Sequence, residues 1–221
     1  MLQQLPLKTN ETFNIDGVDY NFRLVLLPKG TTIYKGIGAY QKFDMFGTPI
    51  EVSSDPDTYM NWVKGTEGKR VVQWFSPEKR VAELFAQSYS NRTDESSHLL
   101  KLKTTKDLKL LFMVRENINN LKNLGIKNLS ETFMIDDRGL LRRSTHISKD
   151  RIFSISLTQE IKGIDGYYAP RLSNMEDGTF ETHPEFMFND ISHLEKVGAY
   201  KFKPERKRKR EDEDGNSPNK R

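Results

Sequence analysis

Arg70-Val-Val-Gln-Trp-Phe-Ser-Pro-Glu-Lys-Arg-Val-Ala-Glu-Leu-Phe-Ala86 decides how this chain is read. Val71, Val72, Trp74 and Phe75 are β-formers and predict a short buried strand. Ser76 has the hydroxyl of a helix N-cap, able to accept an orphan backbone N–H of the first turn. Pro77 suits the first helical position, where a missing N–H costs nothing. Glu78 lies on the favourable side of the helix dipole. Val81, Leu84, Phe85 and Tyr89 then recur at helical spacing and predict one buried face. A strand thus ends at Phe75, a hydroxyl caps the turn, and a helix packs back. Such a junction could present Ser76 at the edge of a cleft. An ordinary strand–helix turn accounts for the same residues.

Around this unit, 221 residues suffice for one substantial core. The expected organisation is one globular domain over 1–199 and a disordered tail over 200–221. The chain has no cysteine, which excludes a disulfide framework and thiolate zinc sites. Its four histidines show no metalloprotease spacing, so no metal site is expected. No apolar run approaches the roughly 18 residues of a membrane span, and Met1 to Glu11 lacks the features of a signal peptide. A soluble intracellular protein with no membrane partner is expected. The net charge of +4 is a local matter. Nine Lys/Arg and five Asp/Glu lie between Tyr200 and Arg221, so the tail carries the whole excess and the body is neutral. A neutral body gives no global footprint for a nucleic-acid backbone.

In chain order, residues 1–19 read as polar with a turn at Asp16-Gly17. Tyr20 to Leu27 and Thr31 to Lys35 read as strands separated by Pro28-Lys-Gly30. Residues 39–69 are rich in Gly, Pro and Ser and read as an irregular loop or insertion. Phe43, Phe46, Tyr59 and Trp62 suggest that it packs on the body as a lid would. His98 to Lys103 alternates as a strand with one wet face, and Leu108 to Val114 is an apolar strand. Glu116 to Leu124 predicts a helix with Ile118, Leu121 and Leu124 on one side and Gly125 as C-cap. Arg151 to Ile161 reads as a helix on either of two faces, with Ile152 to Leu157 equally readable as a strand. Asp165 to Ala169 is a turn and a strand, 171–182 a polar loop, Glu185 to Phe188 a buried strand, and Val197 to Phe202 the last one. The order lacks regular βαβ alternation and predicts an α+β fold with a mixed or antiparallel sheet and flanking helices.

Nucleophile-elbow and dinucleotide-fold glycine signatures are absent. Glu185 is singled out because it heads the buried run Phe186-Met-Phe188, where a carboxylate can project into a cleft. Three segments then carry a resemblance. Thr32-Ile-Tyr-Lys-Gly36, Trp74 to Ala86 and Pro184-Glu-Phe-Met-Phe188 resemble, in order and spacing, the three motifs of ADP-ribosyltransferases. These are an aromatic, Arg or His, then Gly; a strand ending in a hydroxyl residue before a helix with Ala-x-x-Phe-Ala; and a Glu heading the last core strand. Asp165-Gly-Tyr-Tyr is similar to the turn that precedes that strand in several members.

The resemblance implies a split β-sheet that clamps nicotinamide adenine dinucleotide (NAD), used as a substrate. Gly36 would hold the nicotinamide amide through its backbone, beside Tyr34. Lys35 would face the ribose or phosphates, and Tyr40 or Tyr167 would stack on the nicotinamide. Glu185 would stabilise the oxocarbenium-like charge, with Ser76 as its buttress. The acceptor would be a protein or a nucleic acid. Lys35 departs from the family's Arg or His, Pro77 from its Thr or Ser, and His183 from the Glu or Gln of arginine-modifying members. A catalytically inactive binding or virion module of the same fold is therefore the second reading, since the overall resemblance extends loosely to members from large DNA viruses. A related RNA 2′-phosphotransferase is the third. Arg206, Lys207, Arg208, Lys209 and Arg210 resemble a nuclear localisation signal, implying an import receptor and a nuclear protein.

Overall fold

The computed structural model describes residues 7–38, 40–43, 49–52, 55–65, 73–93, 96–135, 141–143, 147–174, 180–188 and 190–202. Strands β1 (Leu7–Ile15), β2 (Val18–Leu27), β3 (Thr32–Ile37), β4 (Tyr40–Phe43) and β5 (Pro49–Val52) come first. Helix α1 (Pro56–Gly65), β6 (Gln73–Phe75), α2 (Lys79–Thr93), β7 (Ser97–Thr104) and β8 (Leu108–Phe112) follow. Then come α3 (Arg115–Asn123), α4 (Leu129–Thr132), β9 (Phe133–Ile135), β10 (Leu141–Arg143) and α5 (Ile147–Glu160). The last three strands are β11 (Gly166–Asn174), β12 (Phe180–Phe188) and β13 (Leu194–Phe202).

Two sheets organise these elements. The larger has the order β1-β2-β8-β11-β12-β6, and the smaller β13-β7-β3. Only the β8–β11 pair in the larger sheet is parallel, so that sheet is mixed. Val25, Leu27, Leu110, Phe186 and Phe188 of the large sheet pack against Ile33, Ile37, Leu100 and Leu102 of the small one. The opposite face of the large sheet packs on the helices through Phe22, Leu24, Tyr167, Met187, Phe153, Leu157, Leu121 and Ile118. Among the described residues the two β-hairpins β4–β5 and β9–β10 pair with neither sheet, although Phe133 of β9 packs on Tyr167 of β11. The α+β class with mixed and antiparallel sheets and flanking helices is thus as expected.

Local chemistry sets the boundaries. Asp16 and Gly17 both take positive φ, which closes the two-residue β1–β2 turn. Helix α3 ends at Gly125, whose φ of 65° is the left-handed geometry of a helix terminus. The α3 side chain Asn117 is fully buried, and its polar atoms all find partners. Its amide donates to the Arg23 and Phe112 carbonyls at 2.7 and 2.6 Å and accepts the Arg23 N–H at 3.0 Å. Such complete satisfaction fixes α3 on β2 and β8. Helix α5 buries Phe153, Leu157 and Ile161 and exposes Ile152, which decides between its two candidate faces and against a strand.

Several expectations need correction. The polar first segment contains β1, an edge strand whose residues alternate between exposed and half-buried. Within the range expected to be an irregular loop, 39–69, the described residues include β4, β5 and α1. Of the expected loop 171–182, the described residues are strand, since β11 runs to Asn174 and β12 starts at Phe180. The domain does not end at 199, because Tyr200, Lys201 and Phe202 pair with Leu99, His98 and Ser97. Helix α2 buries Val81, Ala82 and Ala86, whereas Leu84 and Phe85 are each 44% exposed. The cause is close packing: α2 lies so near β3 that Ala82 and Ala86 face Gly36, with Val81 also buried.

Candidate functional site

Strand β6 forms the corner between the two sheets. It is antiparallel to β12, with Phe75 opposite Phe186 and Trp74 opposite Met187. One residue further on, Ser76 makes a two-way backbone bridge to Tyr34 of β3. The Tyr34 N–H donates to the Ser76 carbonyl at 2.8 Å, and the Ser76 N–H to the Tyr34 carbonyl at 2.9 Å. Three segments distant in sequence therefore meet here: Tyr34-Lys-Gly36, Trp74-Phe-Ser76 and Pro184-Glu185.

Ser76 is 3% exposed, and its hydroxyl has a defined task. It donates to the Pro184 carbonyl at 3.0 Å and accepts the Glu78 N–H at 3.0 Å. The second contact satisfies a backbone donor ahead of α2, as a cap does. The first uses the hydroxyl proton on the carbonyl preceding Glu185. Ser76 thus positions the β12 backbone at Glu185, and its proton goes to that carbonyl rather than to the carboxylate.

Gly36 lies under α2. A Cβ there would collide with the Ala82 carbonyl and lie 2.8 Å from the Ala86 nitrogen, so β3 and α2 approach this closely only at glycine. Its backbone has a second property. Tyr34 turns its N–H and C=O toward Ser76, and strand alternation turns those of Gly36 toward the same edge. That is the outer edge of β3, the last strand of its sheet.

Lys35 points the other way, inward. It follows the Ile33-Lys35-Ile37 alternation into the core between the sheets and is only 9% exposed. Its ammonium donates to the Trp74 carbonyl at 3.0 Å. It also lies 5.3 Å from the Phe75 ring centroid and 5.9 Å from that of Tyr59, within cation–π range. Loss of hydration lowers its pKa to about 8, and the nearby negative charge of Glu185 opposes that shift. The expected ribose or phosphate contact is not where this side chain goes; it pins β3 to β6. Glu185 itself is 3% exposed and lies at the same corner.

The remaining candidates separate. Tyr167 is fully buried among the Trp74, Phe133 and Phe153 rings, so it builds the core behind the corner. Tyr40 opens β4. The basic run Arg206 to Arg210 falls outside the described residues, and so does the structure of 203–221. The sequence reading had not given Tyr59 or the Trp74 carbonyl a role at this site. The signal for the lysine's orientation was present in the alternation of two isoleucines around it. Among the described residues no cluster of His, Asp and Glu could hold a metal ion. Among them, too, no helix is long and apolar enough to cross a membrane. No known family model, no curated protein and no solved structure matches this chain.

Proposed function

We propose that this chain is an NAD-dependent ADP-ribosyltransferase acting on a protein or nucleic-acid acceptor, with Glu185 as its catalytic residue. One observation carries the reading. The three segments that resemble the family's motifs meet at the β6 corner, held by the Tyr34–Ser76 bridge and the Ser76–Pro184 hydrogen bond. The Gly36 N–H and C=O offer an adjacent donor and acceptor, which complement a carboxamide. In the reaction the bond between the ribose C1′ and the nicotinamide nitrogen breaks, and its electron pair leaves with nicotinamide. The Glu185 carboxylate stabilises the positive charge left on the ribose. A nucleophile on the acceptor then bonds to C1′ and releases its proton. Positioning and electrostatic stabilisation in a closed site supply the rate.

Incubation with labelled NAD and candidate acceptors tests this. Glu185→Gln keeps the shape but removes a charge needed mainly in the transition state. NAD binding should persist while transfer or NAD hydrolysis falls by about 100-fold or more. Wild-type turnover by this variant would remove Glu185 from the chemistry. The near-complete burial of Glu185 and Lys35 favours an inactive module of the same architecture as the second reading. Binding of NAD by the wild type without turnover would select it. The proposal includes a nuclear location through Arg206, Lys207, Arg208, Lys209 and Arg210. Changing all five to Ala should leave a large fluorescent fusion in the cytoplasm, and nuclear accumulation of that fusion would refute the assignment.

A further inference from the structure

We infer that α1 is a lid over the β6 corner, fastened to the small sheet by the Asp57–Lys196 ion pair. The inference concerns access to the site proposed above and rests on that reading only for what the lid admits.

Lys35 and Glu185 are almost fully buried, so nothing can meet them unless an element moves. Helix α1 is the element in the right place. Its Tyr59 is 1% exposed and presents its ring to the Lys35 ammonium, and Met60 enters the same core beside it. Among the described residues α1 joins the core through the Tyr59 and Met60 side chains, whereas β6 is tied to β12 by backbone pairing.

The fastening is at the helix N-terminus. Asp55 accepts the Thr58 N–H at 2.8 Å and caps the first turn. Asp57 follows in that turn, where the helix dipole favours a carboxylate. Lys196 of β13 contacts Asp57 directly, and its charge also acts on Asp55. The strand is built for this reach. The β13–β7 register shifts between Lys196 and Gly198, and a bulge at such a point re-aims the neighbouring side chains. Asp57 is 70% exposed, so the contact is a surface one and weak enough to break repeatedly. Opening it lifts Tyr59 from Lys35 and draws Tyr59 and Met60 out of the core. The open form is therefore a minor state, whose population the ion pair adjusts while the paired strands stay in place.

The buried amine reports the motion without any ligand. The full chain is treated with formaldehyde and cyanoborohydride at pH 8, and methylation at Lys35 is followed by peptide mass spectrometry. Lys109, which is half exposed, serves as the reference amine. Hydrogen exchange at the Leu24 and Leu111 amides reports global unfolding. Lys196→Glu turns attraction into repulsion and should raise the Lys35 rate by about fivefold, the scale of an exposed ion pair. Lys109 labelling and core exchange should not change. Adding Asp57→Lys restores an opposite pair and should return the rate toward wild type. An unchanged Lys35 rate in Lys196→Glu, or a rise matched by core exchange, overturns the lid. The same variants are then assayed with NAD. Lys35 labelling that responds in a protein that never consumes NAD keeps the lid and rejects the transferase. NAD turnover with labelling indifferent to Lys196 does the reverse.

Discussion

Lys35 and Gly36 are neighbours on β3 with opposite environments, and each can be read from its own chemistry. Gly36 is needed where α2 touches the strand. Lys35 enters an interior whose walls are aromatic. The lysine makes stability depend on pH in a definite direction. Below about pH 8 the amine is protonated in both folded and unfolded chains, and burial of the charge costs its full amount. Between about 8 and 10.5 the unfolded chain keeps a proton that the folded chain has released. The unfolded state then binds more protons, so stability rises with pH through that window and levels off above it. Denaturant unfolding at a series of pH values, compared with Lys35→Met, isolates the effect. Wild-type stability relative to the variant should climb by about 1.4 kcal/mol per pH unit across the window. A flat difference would mean that the amine is solvated in the folded protein. The signal for its inward position lay in Ile33 and Ile37, which flank it at strand spacing, but the resemblance turned the side chain toward a ligand instead. Its partner was not legible, because no local pattern tells which backbone carbonyl a buried ammonium will find.

Among elements, those with a continuous apolar signal were legible and those built on context were not. Strand β2, helix α3 and the β8 run carry enough apolar residues to announce themselves. Strand β1 is polar because it is an edge strand with little to bury, and the hairpin turn rather than its composition creates it. The β4–β5 and α1 segment was hidden by Gly, Pro and Ser, which mark turns but do not forbid short elements between them. On α2, Val81 is buried as expected, and Tyr89 lies outside the residues with described side chains. Leu84 and Phe85 were misplaced because hydrophobicity suggests the largest residues face the core, whereas the helix meets Gly36 with Ala82 and Ala86. The β6-Ser76 junction was read correctly in outline, with α2 starting at Lys79, later than expected. The end of β13 gives a sharp check at this scale. A chain ending at Ala199 loses the cross-strand pairs of Tyr200, Lys201 and Phe202 with β7. Each such pair contributes a few tenths to one kcal/mol, so the melting point should fall by roughly 5 °C. A chain ending at Phe202 should melt with the full-length protein. Equal melting of the Ala199 form would show that the last three pairs contribute nothing.

At the scale of the whole molecule, the candidate site exists only where two sheets meet, so its integrity depends on both. The space between them holds one continuous set of buried side chains. Leu100 of the small sheet and Leu110 of the large one are both fully buried in it. Strand β6 adds a covalent and hydrogen-bonded tie, since it pairs with β12 and continues into the bridge with Tyr34. A small sheet of three strands has little reason to persist once that shared core opens. The expected behaviour is a single cooperative transition, in which Trp74 fluorescence at the corner and far-ultraviolet dichroism report the same midpoint. Trp62, outside the residues with described side chains, is changed to Phe so that the fluorescence belongs to Trp74. Leu100→Ala and Leu110→Ala should each lower the one transition by about 2–5 kcal/mol, the cost of a cavity in a packed core. Two separated transitions would mean that the sheets are independent bodies, as would a Leu100→Ala effect confined to dichroism. The β6 corner would then be a meeting point of two moving parts, and the arrangement of Gly36, Ser76 and Glu185 could not hold a substrate in a fixed geometry.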